Sequence, residues 1–214
     1  MRFIPVKTPF FIGWFFPKYI WKKPTNKNSI YLTFDDGPTP EITPWILDEL
    51  KKYNAKATFF CIGANIEKHP DLFKRIQQEG HVIGNHTQTH VNGWKSSLET
   101  YQKETQIAQK NIEAHLINSS NSAKKLFRPP YGRITSAQGK WLIEKGFSIV
   151  MWSILTFDWE QQLSKEKCLK KSLKAKSADI VVFHDSVKAS KNLNYVLPLF
   201  LKYYTEKGYT IEGL

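Results

Sequence analysis

Short β-like runs alternate with longer helix-like stretches along almost the whole chain, and this alternation restricts the fold more than any other feature. Strand-like runs fall at 29–34, 57–61, 81–84, 126–128, 147–151, 180–183 and 209–211. The stretches between them carry helix punctuation. Thr43 and Pro44 read as an N-cap and first-turn proline before WILDELKKY, and Pro70 opens DLFKRIQQE, which stops at Gly80. A long polar-rich helix is expected over 95–116. Ser136 opens another that ends at Lys145 before Gly146, and 193–207 ends at Gly208. Strand–helix alternation calls for parallel strands with crossover helices. About seven such units predict an α/β fold, a (β/α) barrel of about seven parallel strands, one short of the usual eight.

That fold gives meaning to where the polar residues lie. Asp35-Asp36, His86 with His90, Arg128-Pro129-Pro130-Tyr131, Asp158-Trp159 and His184-Asp185 each follow a strand-like run. In such barrels the loops after the strands build the site, so residues far apart in sequence should converge on one rim.

Spacing then suggests chemistry. His86 and His90 are four apart, and one helical turn would present both imidazoles to the same side. Two neutral imidazoles with one carboxylate suit a catalytic zinc that keeps positions open for water and substrate. A His-x-x-x-His pair is weak evidence alone, but its GNHTQTH setting directly after a strand strengthens it. The acidic ligand should come from a strand end, and Asp35-Asp36 is the obvious source. One aspartate of an Asp-Asp-Gly-Pro turn is explained by hydrogen bonds to the backbone. Two adjacent carboxylates repel unless a cation or arginine neutralises them. A division of labour, with one on a metal and the other free as a base, resolves the conflict.

TFDDGP, HTQTH, RPPYG, DW and VFH, in this order from about residue 30 to 211, resemble the polysaccharide deacetylase family (NodB-homology domain, carbohydrate esterase family 4). The resemblance implies a distorted, NodB-type barrel over 29–214 and a metal-dependent hydrolase acting on acetylated polysaccharide. It implies that Asp35 is the general base acting on a metal-activated water, while Asp36, His86 and His90 hold one divalent ion. Zinc is expected from the ligand set, and Co2+ or Ni2+ also fit. Arg128 matches the arginine that orients the base. Tyr131 matches the residue whose main-chain N–H stabilises the oxyanion, a role worth about 3–4 kcal/mol. His184 matches the general acid and Asp158 its partner. Trp159 and Val182 match the lining beside the acetyl methyl group. The chain departs from the pattern at Leu155, where an additional aspartate is usual, and at Val182, where leucine is usual.

The implied substrate is an N-acetylated GlcNAc polymer, peptidoglycan or a chitin-like oligosaccharide. An O-acetyl esterase on a xylan-like polymer and an inactive carbohydrate-binding protein of the same fold are the alternatives. The full set of reactive residues speaks against inactivity. His81 has no motif and reads as structural, while Asn85, Trp94 and Trp141 have both structural and site explanations.

Composition excludes other classes. Apolar residues make up 41% of the 214, enough for a single core and against disorder. The net charge is +12, but the lysines are dispersed and no nucleic-acid motif accompanies them, so no nucleic-acid partner is expected. The denser run 165–176 places Leu163, Leu169 and Leu173 at helix spacing with a solvated basic face. Cys61 and Cys168 are too few for a disulfide framework or a thiolate zinc site. Residues 1–28 read as an apolar arm packing on the domain. Within it 9–21 (PFFIGWFFPKYIW) is too short to span a bilayer, and no cleavable signal follows. Membrane contact through 9–21 is the second reading, so a cytoplasmic or peripherally membrane-associated location is expected.

Overall fold

The computed structural model of the chain describes residues 5–25, 27–117 and 125–214, so positions 1–4 and 26 of the arm lie outside the described residues. One sheet contains β1 (Ser29–Asp35), β2 (Thr58–Cys61), β3 (Val82–Asn85), β4 (Lys125–Phe127), β5 (Phe147–Ile149), β6 (Ile154–Leu155), β7 (Ile180–His184) and β8 (Thr210–Glu212). The order is β5-β4-β3-β2-β1-β7-β6, with β8 beside the first part of β1, and every pair is parallel. Crossovers carry α2 (Ile42–Lys52), α3 (Gly63–Lys68), α4 (Pro70–Gln78), α5 (Leu98–Ala114), α6 (Ser136–Glu144), α7 (Lys165–Ser172) and α8 (Ser190–Glu206), while the arm holds α1 (Ile12–Phe15). The expected α/β barrel is thus present, and its distortion has a definite origin.

The two ends of the strand order, β5 and β6, are halves of one segment. Val150 N–H donates to Phe127 of β4 (2.8 Å), whereas Ser153 N–H donates to Ile180 of β7 (3.0 Å). A single broken strand therefore joins both edges and leaves its outer side unpaired. The arm covers that side. Thr8 N–H donates to Ser153 (2.9 Å), Leu155 N–H to Val6 (2.9 Å), Ile20 N–H to Ile149 (2.8 Å) and Met151 N–H to Ile20 (2.8 Å). Backbone donors and acceptors that a closed barrel would have paired are satisfied by an added segment.

Period-2 alternation sorts the strand residues. Ile30, Leu32, Phe34, Phe59, Cys61, Val181 and Phe183 face the helices and join one large apolar cluster with α2, α4 and α8. Tyr31, Phe60, Leu126, Val150 and Ile180 fill the barrel floor, where Ile20 of the arm packs against them. The same inward face continues upward through Thr33, Val182, Asp35 and His184. Gly84 is required here by close approach: a Cβ would lie 2.4 Å from the Phe60 ring. Gly84→Ala should destabilise the fold by about 1–3 kcal/mol, read from the urea midpoint at unchanged m.

Several local expectations need correction. Helix α2 starts at Ile42, so Thr43 is not its cap but a first-turn residue whose hydroxyl donates to Asp185 Oδ2 (2.7 Å). Thr135, one residue before Ser136, caps α6 through a capping box with Gln138. Residues 86–90 form a loop rather than a helical turn, with Thr87 and His90 at φ 66° and 59°. Helix α7 starts at Lys165 after its cap Ser164, so Leu163 lies before the helix, although Leu163, Leu169 and Leu173 all pack against the core as expected. Both cysteines are free and buried.

Candidate active site

Strand register brings the reactive groups together. Asp35 ends β1 in register with Phe60 of β2 on one side and His184 of β7 on the other. Two residues 149 positions apart in sequence are therefore cross-strand neighbours on one inward face.

Arg128 extends from the end of β4 into the barrel and is fully buried. Its Nη1 donates to Asp35 Oδ1 (2.7 Å) and Thr33 Oγ1 (2.7 Å). Its Nε donates to the Val150 carbonyl (3.2 Å) and its Nη2 to that of Met151 (2.9 Å), with the guanidinium 4.2 Å above the Phe60 ring. This is no surface salt bridge. Burial raises the Asp35 pKa, but the Arg128 charge and hydrogen bond, joined by His86 and His184, together outweigh it and hold the carboxyl below its ordinary value. Asp35 is thereby ionised, aimed and available as a proton acceptor.

His184 is built as the opposite device. Its Nδ1 meets Asp158 Oδ1 at 2.8 Å, and its main-chain N–H donates to Asp158 Oδ2 (2.7 Å). Thr156 Oγ1 lies 3.1 Å from the same Oδ1 and shares its one proton between it and the nearer Val182 carbonyl (2.7 Å). Burial would depress the imidazole, but the Asp158 carboxylate overrides it and raises the pKa to about 9. The ring is held protonated. Trp159 packs edge-on against it at 4.6 Å and stacks on Phe157 at 5.2 Å.

The third group is a cluster of donors without protons. Asp36, His86 and His90 offer ligand atoms all within 4.8 Å of one another. Asp36 Oδ1 lies 3.3 Å from His90 Nε2 and 3.8 Å from His86 Nε2, yet it is buried with no hydrogen-bond partner. Burial lowers the pKa of His86, and burial with repulsion from His86 lowers His90 to about 4, so both rings are neutral. His86 Nδ1 is 2.8 Å from the Arg128 carbonyl, which requires the Nδ1–H tautomer and turns the Nε2 lone pair to Asp36. An unpartnered carboxylate oxygen beside the Nε2 atoms of two neutral imidazoles fits a divalent cation. Asp35 lies outside this donor set, as the division of labour requires.

The remaining expected residues border the same space. Tyr131 takes φ 59° in the turn after Pro129-Pro130, with its exposed ring 4.5 Å from His90. Val182 is buried one pleat below His184. Arg133 lies within 5.8 Å of the Tyr131 ring and 5.3 Å of the exposed Trp94 ring, so a polar–aromatic ridge leads away from His90. Trp141 instead packs against the second apolar cluster. His81 is structural, its Nδ1 accepting from Ala57 N–H (3.2 Å). Asn85 orients the histidine loop, accepting from Thr87 N–H (2.9 Å) and donating to the Thr105 carbonyl (3.0 Å).

Sequence reasoning missed Asp185. It is fully buried, accepts from Gly37 N–H (2.8 Å) and Thr43 Oγ1 (2.7 Å), and burial pushes its carboxyl up to about 8. Its partners fix the turn that carries Asp36, and Asn65 Nδ2 secures the Asp36 carbonyl (2.7 Å). The clue in the sequence was its place beside His184 at a strand end.

Fold and site together define a (β/α) barrel with a metal-capable Asp-His-His centre flanked by an ionised carboxylate and a protonated imidazole. The polysaccharide deacetylase family model matches residues 22–150. A Bacillus cereus peptidoglycan-N-acetylglucosamine deacetylase is 49% identical over 142 residues, 66% of this chain and 50% of that protein. A second from the same organism is 39% identical over 172 residues, 77% of this chain and 76% of that protein. The Bc1960 peptidoglycan N-acetylglucosamine deacetylase, crystallised with 4-naphthalen-1-yl-N-oxidanyl-benzamide, superposes with a TM-score of 0.85 at 36% identity, over 95% of this chain and 94% of that one. The chain belongs to the polysaccharide deacetylase family. It spans half the length of the first of these relatives.

Proposed function

We propose that the chain hydrolyses N-acetyl groups on a GlcNAc-containing polysaccharide, peptidoglycan or a chitin-like oligosaccharide, with one divalent ion held by Asp36, His86 and His90. The observation that carries this reading is the pairing of opposites across β1 and β7. Arg128 keeps Asp35 ionised and Asp158 keeps His184 protonated, so a base and an acid face one small space beside the ligand triad. Groups whose environments push their pKa values apart mark acid and base assignments.

A bound divalent ion, most simply Zn2+, supplies Lewis acidity toward the acetyl carbonyl and lowers the pKa of the attacking water. Asp35 takes the proton as the water oxygen bonds to the carbonyl carbon. The Tyr131 main-chain N–H is assigned to the developing oxyanion. His184 Nε2 then gives its proton to the sugar nitrogen as the C–N bond breaks, leaving acetate and a free amine. Trp159 and Val182 line the space for the acetyl methyl group. The relatives' names support an N-acetylglucosamine substrate, and the exposed Tyr131 and Trp94 rings suit the apolar faces of sugar rings.

The two titrations set the sign of the pH dependence. Activity needs Asp35 deprotonated, so it falls only when pH drops below the ordinary carboxylate range. It also needs His184 protonated, so it falls as pH rises through about 9. Asp158→Asn removes the raising charge but leaves the burial, so the alkaline limb of kcat/KM should move down by roughly two pH units or more. An unmoved limb would reject His184–Asp158 as the acid pair.

The functional test is acetate release from chitin oligomers, peptidoglycan and acetylxylan. Release from the first two, abolished by chelation and restored by zinc, is expected. Release from acetylxylan alone would replace the amide substrate with an ester, and release from none would refute hydrolysis.

A further inference from the structure

The arm divides into two parts with opposite environments. Residues 6–8 and 20 are tied to the barrel's broken strand, and Tyr19 and Trp21 pack on the second apolar cluster. Between these anchors, Phe10, Trp14 and Phe15 expose 79%, 76% and 75% of their surfaces, and Phe11 and Phe16 each expose 46%. Hydrophobic packing explains the anchors and leaves the aromatic tip unexplained. Side chains three-quarters exposed stand out from the surface, so they suit a fluid apolar phase better than the fitted pocket of a protein partner.

We infer that this tip inserts into the interface of an anionic lipid bilayer and holds the barrel at the membrane surface. Trp and Phe partition to the boundary between headgroups and acyl chains. Charge adds to this. The first 28 residues contain Arg2, Lys7, Lys18, Lys22, Lys23 and Lys27 and no acidic residue, in a chain of net charge +12. Lys7 and Lys22 share the buried Asp179 carboxylate (3.8 and 2.8 Å), which leaves one net positive charge at the base of the tip. Among the described residues no helix is long and apolar enough to cross a membrane. A polysaccharide is the competing occupant, and the ring geometry disfavours it. At the most exposed end Phe10 meets Phe11 and Trp14 edge-on, at 78° and 85°, and the one coplanar pair given for the arm, Phe16 with Tyr19 (20°), lies at its less exposed end.

The test is sedimentation of the full chain with vesicles of phosphatidylglycerol and phosphatidylcholine, compared with phosphatidylcholine alone. Wild type should bind the anionic vesicles, more weakly as salt rises. The triple variant Phe10→Ser, Trp14→Ser, Phe15→Ser should lose on the order of a hundredfold in partitioning while keeping its thermal midpoint, because the three side chains contribute little to the fold. Wild type that stays in the supernatant, or a triple variant that binds as well as wild type, overturns the inference. So does arm-dependent retention on insoluble chitin or peptidoglycan without vesicle binding. None of these readouts depends on catalysis, so failure of the proposed activity and failure of the membrane contact are distinguishable.

Discussion

Asp35→Asn should lower kcat on N-acetylglucosamine oligomers by about 10²–10⁴-fold while leaving divalent-ion content at the wild-type level. The size follows from losing a positioned base, and the retained metal follows from the geometry. Asp35 is bonded to Arg128, and the ligand atoms that converge belong to Asp36, His86 and His90. Two adjacent carboxylates of one turn thus face different partners, because residue 35 ends a regular strand and residue 36 turns out of it at φ 88°. Asp36→Asn should show the reverse order of events, with loss of the ion first and of activity as a consequence. Equal loss of metal in both variants would show that the two aspartates share the ion.

Arg128→Met should destabilise the protein by about 3–5 kcal/mol and abolish activity. Its side chain is fully buried and donates to Asp35, Thr33 and two main-chain carbonyls. Removing the guanidinium leaves Asp35, itself only 4% exposed, as an uncompensated carboxylate inside the barrel. Adding Asp35→Asn removes that charge, so the double variant should be more stable than Arg128→Met alone. A double-mutant cycle in urea measures this coupling. Additive losses would mean that the pair does not hold Asp35 in its ionised form. Arg128→Lys should not rescue, since one ammonium cannot reach Asp35, Thr33 and both carbonyls in the guanidinium's planar arrangement.

Much of this was legible from local pattern. Strand-like runs bounded by polar clusters located β1 to β5, β7 and β8 to within two residues at each end, because strands with most of their residues in the core show as short apolar runs with abrupt ends. The same rule placed Asp35, Asp36, His86, His90, Arg128, Asp158 and His184 on one rim. What escaped notice depends on contacts distant in sequence. The two residues of β6 carry no periodic signal and are strand only because β7 pairs with them. Thr43 resembles a helix cap, yet its hydroxyl goes to Asp185, 142 residues later. The spacing of His86 and His90 suits a helical turn, but two left-handed residues in the loop deliver the same convergence by another route. The arm's apolar composition was plain, whereas its division into anchored and exposed parts required the unpaired edge of the broken strand.

The measurement that bears most directly on the central claim is metal content and acetate release on a single preparation. Chain stripped with chelator and titrated with zinc should take up one ion, and acetate release from chitin oligomers should rise in step with occupancy. A chain that binds no divalent ion, or that binds one and releases no acetate from any N-acetylated polymer, would contradict the assignment of Asp36, His86 and His90 to the metal and of Asp35 and His184 to the protons.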